Sequence, residues 1–372
     1  MAEATIVKPD LDFVKGVIAA GGESLKKCYQ CATCSVVCNV TPDQNPFPRK
    51  EMIWAQWGLK DKFKGNPDVW LCQQCNDCTA YCPRGAKPAE VLGAIRKQTI
   101  QQYSAPAFLA GLVNNKTFMP VLFLIPAIIL LITGGFSIPE GDIVFSNFFP
   151  IHTIQFVFTP ALLFGLAVGV MGVMKFWKDM KQAAGVTSGD LKGSIIATAK
   201  DVISHGKFKD CGVSKDRFLS HFLVFYSFVA LAIATGFGVL YIDIFHVMSP
   251  FSLFGKGWIV KLFGLAGAAG LLLGVSLMVM NRFKNAAKVG IGSYFDWLLI
   301  TIIAVVMASG ILAYLTRLAG IAGLAYPIYF IHLVFVFSLF VYLPYSKLAH
   351  LFYRGTAMCF AKYSGRDKTI DN

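Results

Sequence analysis

The chain has 372 residues, of which 55% are hydrophobic and 15% are charged, and its mean hydropathy is +0.58. This composition excludes an ordinary soluble protein, because soluble domains rarely carry so much apolar side chain. The formal net charge of +13 does not indicate nucleic-acid binding, because the basic residues lie in alternate loops between apolar runs and form no basic face with exposed aromatics.

Residues 1–117 have the composition of a soluble domain, with 14 basic and 10 acidic residues. No cleavable signal peptide is visible, since the N-terminus is polar and partly acidic. We predict a short helix at residues 10–20, a second helix within residues 46–58, and an amphipathic helix that begins at Pro88. No strand pattern is present, so the predicted fold of this part is all-α.

Eight of the ten cysteines repeat one spacing. The two runs are Cys28-x2-Cys31-x2-Cys34-x3-Cys38 and Cys72-x2-Cys75-x2-Cys78-x3-Cys82. This spacing lets one loop place three thiolates on a [4Fe–4S] cube and send the fourth to a second cube. We therefore predict two crossed ligand sets, Cys28, Cys31, Cys34 and Cys82 for one cluster and Cys72, Cys75, Cys78 and Cys38 for the other.

Two other uses of these cysteines fit the spacing less well. Zinc sites favour paired Cys-x2-Cys units rather than runs of four, and a disulfide framework needs an exported domain. Because cluster thiols must stay reduced, we expect residues 1–117 to form a cytoplasmic ferredoxin-like domain. The other two cysteines, Cys211 and Cys359, are interpreted as small packing residues.

Six apolar runs follow a linker, and each is long enough to cross about 30 Å of hydrocarbon. We predict spans at 118–136, 151–174, 219–245, 258–280, 296–316 and 326–348. The segments 175–217, 282–294 and 347–372 hold nine, three and five Lys or Arg, whereas the opposite segments hold none, one and one. This asymmetry predicts that residues 118–372 form a six-helix bundle in the cytoplasmic membrane with both termini inside.

Five of the six histidines lie within or at the ends of predicted spans, where an ionisable residue is costly and indicates function. Neutral imidazole is the usual axial ligand of haem b, which two histidines on facing helices hold. His221 and His350 lie at similar inner depth, so we predict that they share one haem. His332 precedes His350 by 18 residues, about 27 Å of helix rise, so its partner must lie near the outer face.

Two histidines compete for that outer position. His152 begins the second span and matches the depth of His332 to within a few ångströms, whereas His246 overshoots by about 10 Å. We predict His152 as the ligand and keep His246 as the alternative. His205 lies in a basic inner loop, where we expect a docking surface rather than a haem ligand.

A quinone site is predicted near the outer haem. Lys261 lies one turn inside the outer end of the fourth span, where it either snorkels to the interface or donates a hydrogen bond to a quinone oxygen. In the second case Asp243 and His246 would take the quinol protons.

The segment His332-Leu-Val-Phe-Val-Phe-Ser-Leu-Phe-Val-Tyr-Leu-Pro-Tyr-Ser-Lys-Leu-Ala-His350 resembles the last haem-binding span of nitrate reductase gamma subunits, dihaem cytochromes b that oxidise quinol. His221 matches the inner ligand of that family's paired span. The family's other ligand follows about three turns later, where this chain reads Ala-Leu-Ala-Ile-Ala-Thr-Gly. The run Cys28-Tyr-Gln-Cys-Ala-Thr-Cys is similar to that of the iron–sulfur C subunits of heterodisulfide reductases.

The fusion of these two parts resembles the C subunits of quinone-interacting membrane-bound oxidoreductase complexes of sulfate reducers. The resemblance implies two haems b, two [4Fe–4S] clusters, and cytoplasmic subunits A and B that carry flavin and iron–sulfur clusters. It also implies that menaquinol electrons pass toward adenylylsulfate reductase. Two alternatives remain open: a related quinone-linked complex that serves dissimilatory sulfite reductase, and a membrane anchor whose histidines are structural.

Overall fold

The computed structural model describes residues 8–134, 138–208, 212 and 216–366, and within these ranges the chain is helical with no strand. The all-α prediction is therefore confirmed. Cys211, which the sequence analysis interpreted as a packing residue, lies outside the described residues. Cys359 is buried as a free thiol in the last helix.

The N-terminal part consists of seven α-helices among the described residues. They are α1 Leu11–Val17, α2 Thr33–Val36, α3 Arg49–Gln56, α4 Asp68–Leu71, α5 Asp77–Ala80, α6 Pro88–Tyr103 and α7 Ala107–Asn114. The carboxylate of Asp10 caps α1 by accepting a bond from the Phe13 amide at 2.8 Å. Pro88 begins α6 at the position where a missing N–H costs nothing. Buried residues of α6 contact α1, α3 and α4, so α6 is the central helix of this part.

The C-terminal part contains longer helices. In chain order they are α8 Met119–Thr133, α9 Phe145–Phe148, α10 Ile151–Ala184, α11 Leu191–Ser204, α12 Arg217–Asp243, α13 Trp258–Lys284, α14 Ala286–Val289, α15 Tyr294–Leu318, α16 Ala322–Val341 and α17 His350–Tyr363. Six segments of the described chain, which contain α8, α10, α12, α13, α15 and α16, are long and apolar enough to cross a membrane. The six predicted spans are confirmed, and they indicate a multi-pass membrane protein.

Close helix packing fixes α12, which carries His221, against α13. A Cβ atom on Gly267 of α13 would lie 2.8 Å from the Leu231 side chain, and one on Gly274 would lie 2.9 Å from the Val224 side chain. These glycines therefore let two spanning helices approach closely, which is how helices associate in a membrane where apolar burial supplies little driving force.

The sixth span is shorter than the sequence predicts. It ends at Val341 rather than at residue 348, just before Pro344, which has no amide hydrogen to continue a helix. The Ser346 hydroxyl then accepts a bond from the Leu348 amide at 3.2 Å and caps a short 3₁₀ turn. This turn redirects the chain into α17, so His350 lies at the start of a new helix.

Helix α17 packs against the N-terminal part of the chain. Tyr353 stacks on Trp70 of α4, with ring centroids 5.0 Å apart. Helix α10 also continues ten residues past the predicted end of its span, and there Asp179 accepts a bond from the Tyr103 hydroxyl at 2.9 Å. The two parts of the chain therefore share an extensive contact surface.

Candidate electron-transfer site

The two cysteine runs have the same backbone shape. Gln30 and Ala32 of the first run have φ of 65° and 68°, and the matching residues Gln74 and Asn76 of the second run have φ of 50° and 69°. A short helix follows each pair, α2 in one case and α5 in the other. Left-handed residues alternating with right-handed ones turn backbone N–H groups toward one point, as at many Fe–S sites. Three of the four residues are not of the types that favour this region, so each run holds local strain.

The first group of thiols contains a cysteine from each run. Burial raises the pKa of Cys34 to about 11, and the nearby thiolates of Cys28, Cys31 and Cys82 act in the same direction. Burial also raises the pKa of Cys28, with Cys82 and Cys31 again contributing. The structure therefore brings the last cysteine of the second run to the first three of the first run.

The second group likewise combines three cysteines of the second run with one cysteine of the first run. Burial raises the pKa of Cys38 to about 12, and its charged neighbours are Cys72 and Cys75. Burial raises the pKa of Cys78 well above its usual value, and Cys72, Cys75, Cys38 and Cys34 add to the effect. Because Cys34 belongs to the first group, the two groups are neighbours.

The donor set fits two cubes better than single ions. Within the described residues no three His, Cys, Asp or Glu side chains are close enough to hold one metal ion. A zinc ion would draw its sulfur ligands to about 2.3 Å from a single centre. A [4Fe–4S] cube instead spreads four thiolates over four iron atoms at its corners, so it needs the wider spacing that the groups have.

His221 of α12 and His350 of α17 lie beside each other on the wall of a cavity of about 1960 Å³. Their ring centroids are 6.3 Å apart and their planes make an angle of 72°. A metal–imidazole bond is about 2 Å long, so two such bonds in line, with half of each ring, separate the ring centres by about 6 Å. The pair therefore has the separation that one shared iron requires.

The hydrogen bonds of His221 and His350 use Nδ1, so the Nε2 atoms that would bind iron keep their lone pairs. His350 Nδ1 lies 2.8 Å from the Lys347 carbonyl, which only accepts, so Nδ1 carries the hydrogen and Nε2 keeps its lone pair. His205 Nδ1 likewise donates to the Ile203 carbonyl at 3.2 Å. Neutral His205 must then accept at Nε2 from His221 Nδ1 at 3.1 Å, which leaves the His221 Nε2 lone pair free. Such outer hydrogen bonds orient imidazole ligands in metal sites.

His205 was expected at a docking surface, but the structure buries it at 4% exposure. Helix α11, which the sequence analysis did not predict, ends at Ser204 and returns the chain to the bundle. His205 then packs on the Phe208 and Phe225 rings at 5.8 and 5.0 Å. The amphipathic pattern of residues 191–204, behind the Asp190 cap, was the signal that could have revealed this helix.

His332 of α16 lies on the wall of the same cavity. Its Nδ1 lies 3.0 Å from the Val306 carbonyl and 3.1 Å from the Ser309 hydroxyl, so Nε2 keeps its lone pair here as well. Gly310 lies against this ring, and a Cβ atom there would be 3.0 Å from His332 Cε1. Three small residues of α12, Ala232, Thr235 and Gly236, line the same cavity.

The structure does not bring His152 to His332. His152 is exposed at the second residue of α10 and is not part of the cavity wall that the described residues form. Depth along an axis does not fix the helix face on which a side chain lies, so the pairing of His152 with His332 stays a prediction. His246 is also exposed, with φ of 52° just after α12.

The predicted quinone residues have separate partners. Asp243 accepts two bonds from the Gln155 amide, at 2.8 and 3.0 Å. Lys261 places its ammonium group 3.7 Å from the centre of the Tyr314 ring, a cation–π contact within the bundle. No contact in the described part of the chain joins Lys261, Asp243 and His246, so their shared role stays a prediction.

Residues 24–86 match the family described as 4Fe-4S dicluster domain. The C subunit of the H(2):CoB-CoM heterodisulfide,ferredoxin reductase of Methanothermobacter marburgensis is 35% identical over 100 residues, which are 26% of this chain and 54% of that protein. A protein of Archaeoglobus profundus, named as similar to the C subunit of heterodisulfide reductase, is 35% identical over 85 residues, 23% of this chain and 45% of that protein. The chain thus spans about half the length of these relatives.

One relative extends over both parts of the chain. Citrate utilization protein B of Escherichia coli is 24% identical over 356 residues, which are 89% of this chain and 88% of that protein. No solved structure matches the chain. Residues 24–86 are therefore a 4Fe-4S dicluster domain, and the N-terminal quarter of this membrane protein is related to the iron–sulfur C subunits of heterodisulfide reductases.

Proposed function

We propose that the chain is a membrane electron-transfer subunit that oxidises menaquinol and passes the electrons through two haems b and two [4Fe–4S] clusters to cytoplasmic partners. The observation that carries this proposal is the pair His221 and His350. Their ring centres are 6.3 Å apart, both Nε2 lone pairs are free, and both rings border a large cavity. An anchor that only docks other subunits has no need of this arrangement.

Bound haem and cluster iron would supply one-electron chemistry. The chain's own part is to hold and insulate these groups. His221 and His350 would bind the inner haem, His332 would bind the outer haem on one side, and the two cysteine groups would bind the cubes. The apolar helices around the cavity exclude water, which protects electrons in transit from side reactions.

The outer haem needs a second axial ligand opposite His332. His152 fits by depth but lies exposed off the cavity, and His246 is exposed as well. Substituting each of them separately, and counting the haems that remain, decides whether either histidine takes part.

The charges of the loops support electron transfer toward the cytoplasmic side. Basic segments on one side of the bundle favour a cytoplasmic location for the clusters. Quinol would then be oxidised near the outer ends of the spans, with Lys261 donating to a quinone oxygen and Asp243 and His246 taking protons. Protons released outside and electrons moved inside would make the reaction charge-separating, which a membrane-potential measurement in liposomes tests.

The proposed partners are cytoplasmic subunits A and B with flavin and iron–sulfur clusters, and adenylylsulfate reductase is the proposed final acceptor. These assignments rest on the resemblance to quinone-interacting membrane-bound oxidoreductases. The Escherichia coli relative with the same two-part extent is named for citrate utilization, so the fused layout by itself does not define the acceptor. The proteins that copurify with the chain distinguish adenylylsulfate reductase from a dissimilatory sulfite reductase system.

The central test is a haem and iron assay on purified protein, followed by an optical redox titration. We expect two haems b and two [4Fe–4S] clusters for each chain. His221→Ala and His350→Ala should each remove the same haem, since the two rings share one iron. A purified protein with both clusters but no b-type spectrum would refute the proposal and identify a membrane anchor.

A further inference from the structure

Each inner haem histidine has an arginine one helical turn away. Arg217 precedes His221 by four residues on α12, and Arg354 follows His350 by four residues on α17. Residues at this spacing lie on the same face of a helix. Each arginine therefore lies on the same helix face as its histidine, one turn farther from the proposed haem pocket.

Both arginines bind the loop of the second cysteine run. Arg354 Nη1 donates to the Cys72 carbonyl at 2.9 Å, and Arg217 Nη1 donates to the Gln74 carbonyl. A third arginine, Arg96 of α6, also donates to the Cys72 carbonyl. The Gln74 amide in turn donates to the Cys72 sulfur at 3.3 Å. The backbone that carries the first thiolate of this run is thus held by the two helices that carry the haem ligands.

The cavity wall also distinguishes the two cysteine runs. Gln73, Gln74 and Asn76 of the second run lie on its wall together with His221 and His350. No residue of the first run, 28–38, is among the described residues of that wall.

The first cluster group lies near the protein surface. Tyr29, Val36 and Tyr81, which neighbour its cysteines, are 67%, 82% and 62% exposed. Cys31 is exposed too. An aromatic and apolar surface around one cluster is suited to contact with another protein. In the other group Cys72 and Cys78 are buried, and no cysteine is exposed.

We propose that the cluster on Cys72, Cys75, Cys78 and Cys38 is the direct redox partner of the iron held by His221 and His350. Arg217 and Arg354 are positioning residues that hold its loop against the haem pocket, and the cluster on the first run is the exit toward the partner protein. This inference rests on the proposed function. The step moves one electron and no proton, since the haem iron changes from ferrous to ferric as the cluster changes from its 2+ to its 1+ state.

The arginines also predict a direction of change in the cluster's potential. A guanidinium beside the cluster loop favours the reduced state, which is the more negative one, because cluster potentials depend on nearby charge and hydrogen bonds. Removal of Arg354 or Arg217 should lower the equilibrium constant for reduction of the second cluster about tenfold, which is about 59 mV for one electron.

The test uses the full chain with haems and clusters bound, in the variants Arg354→Gln, Arg217→Gln and Arg354→Lys. The matched control is Arg366→Gln, because Arg366 donates three hydrogen bonds to Asp68 of α4 at the same domain contact, and none of them goes to the cysteine loop. An EPR redox titration follows both clusters, and Cys31→Ser and Cys75→Ser variants assign each signal to its run. Stopped-flow optical spectroscopy follows haem reoxidation.

We expect both glutamine variants to lower the second cluster's potential and to slow haem reoxidation at least tenfold, with the first cluster and the Arg366→Gln control unchanged. Arg354→Lys should restore the potential, because it restores the charge, but not the full rate. Hydrogen exchange of the 72–76 amides should increase in the glutamine variants. Unchanged second-cluster potential and rate, or a shift confined to the first cluster, would overturn the order, whereas wild-type protein without haem would refute the proposed function instead.

Discussion

Replacement of His205 tests how His221, a proposed ligand of the inner haem, is oriented. His205 Nε2 is the acceptor for His221 Nδ1 at 3.1 Å, and His205 is itself fixed by its bond to the Ile203 carbonyl. The site is buried, so no bulk water replaces a lost acceptor. In His205→Phe the His221 N–H therefore loses its partner, whereas in His205→Gln the amide oxygen still accepts.

The size of the effect follows from the cost of a buried unpaired donor, about 1–3 kcal/mol. Loss of an outer partner of a metal-bound histidine typically reduces metal affinity about 10–100-fold. We expect His205→Phe to weaken retention of the inner haem in this range and His205→Gln to weaken it less than about tenfold. Because the lost bond makes His221 a poorer donor to ferric iron, the midpoint potential should also rise, by about 59 mV if ferric affinity falls tenfold more than ferrous affinity.

The assay is haem content after purification, with optical redox titration of each haem and the EPR spectrum of the ferric state. Ser204→Ala is the control, because Ser204 precedes His205 in the chain but its side chain is exposed and bonds to the Asp201 carbonyl and the Gly206 amide, not to a histidine. Full haem occupancy and an unchanged midpoint potential in His205→Phe would show that His221 does not depend on this bond, and the tautomer argument would be wrong.

Three further predictions follow from the packing. His152→Ala should retain every haem of the wild type, because the His152 side chain is exposed and does not line the cavity. His332→Ala should lose one haem. Loss of a haem in His152→Ala would support the pairing of His152 with His332 that depth predicted. Asp68→Ala should lower stability by about 1.5–3 kcal/mol, because Arg366 loses its carboxylate partner and Lys50 keeps only Glu51 of its two. The melting temperature in detergent measures this, and no decrease would contradict it. Gly172→Ala should cost about 1–3 kcal/mol, because its methyl group overlaps a tyrosine hydroxyl of α17, while Gly264→Ala has open space and should melt like the wild type.

The features that the sequence predicted correctly depend on local patterns. Six spans follow from runs of apolar residues, and the all-α fold follows from helical periodicity and the absence of strand patterns. The structure also places His221 opposite His350, as depth along the spans predicted. Depth sufficed for this pair because each histidine lies near a helix start, close to the same inner level. It did not suffice for His152, because the helix face was not specified.

The features that were not predicted depend on contacts between distant parts of the chain. Arg217 reaches a carbonyl 143 positions away, and Arg354 reaches one 282 positions away. No spacing rule connects such residues, since their helices belong to different parts of the fold. His205 was missed for a related reason: its loop position suggested solvent, and only the return of α11 to the bundle buries it.

The contacts between the N-terminal and C-terminal parts of the chain would fix the path by which electrons leave the membrane. Arg354, Tyr353 and Arg366 all lie on or just after α17 and bind the second cluster loop or the helix before it. The same helix begins with His350, a proposed haem ligand, so the separation between the proposed haem and the cluster would be set by one helix rather than by a docking equilibrium. A tethered partner acts at a high effective concentration and needs no diffusional encounter. Only electron transfer from the exposed first cluster would then depend on the binding of another protein. Exchange of that partner would leave electron transfer from the haems to the clusters unchanged.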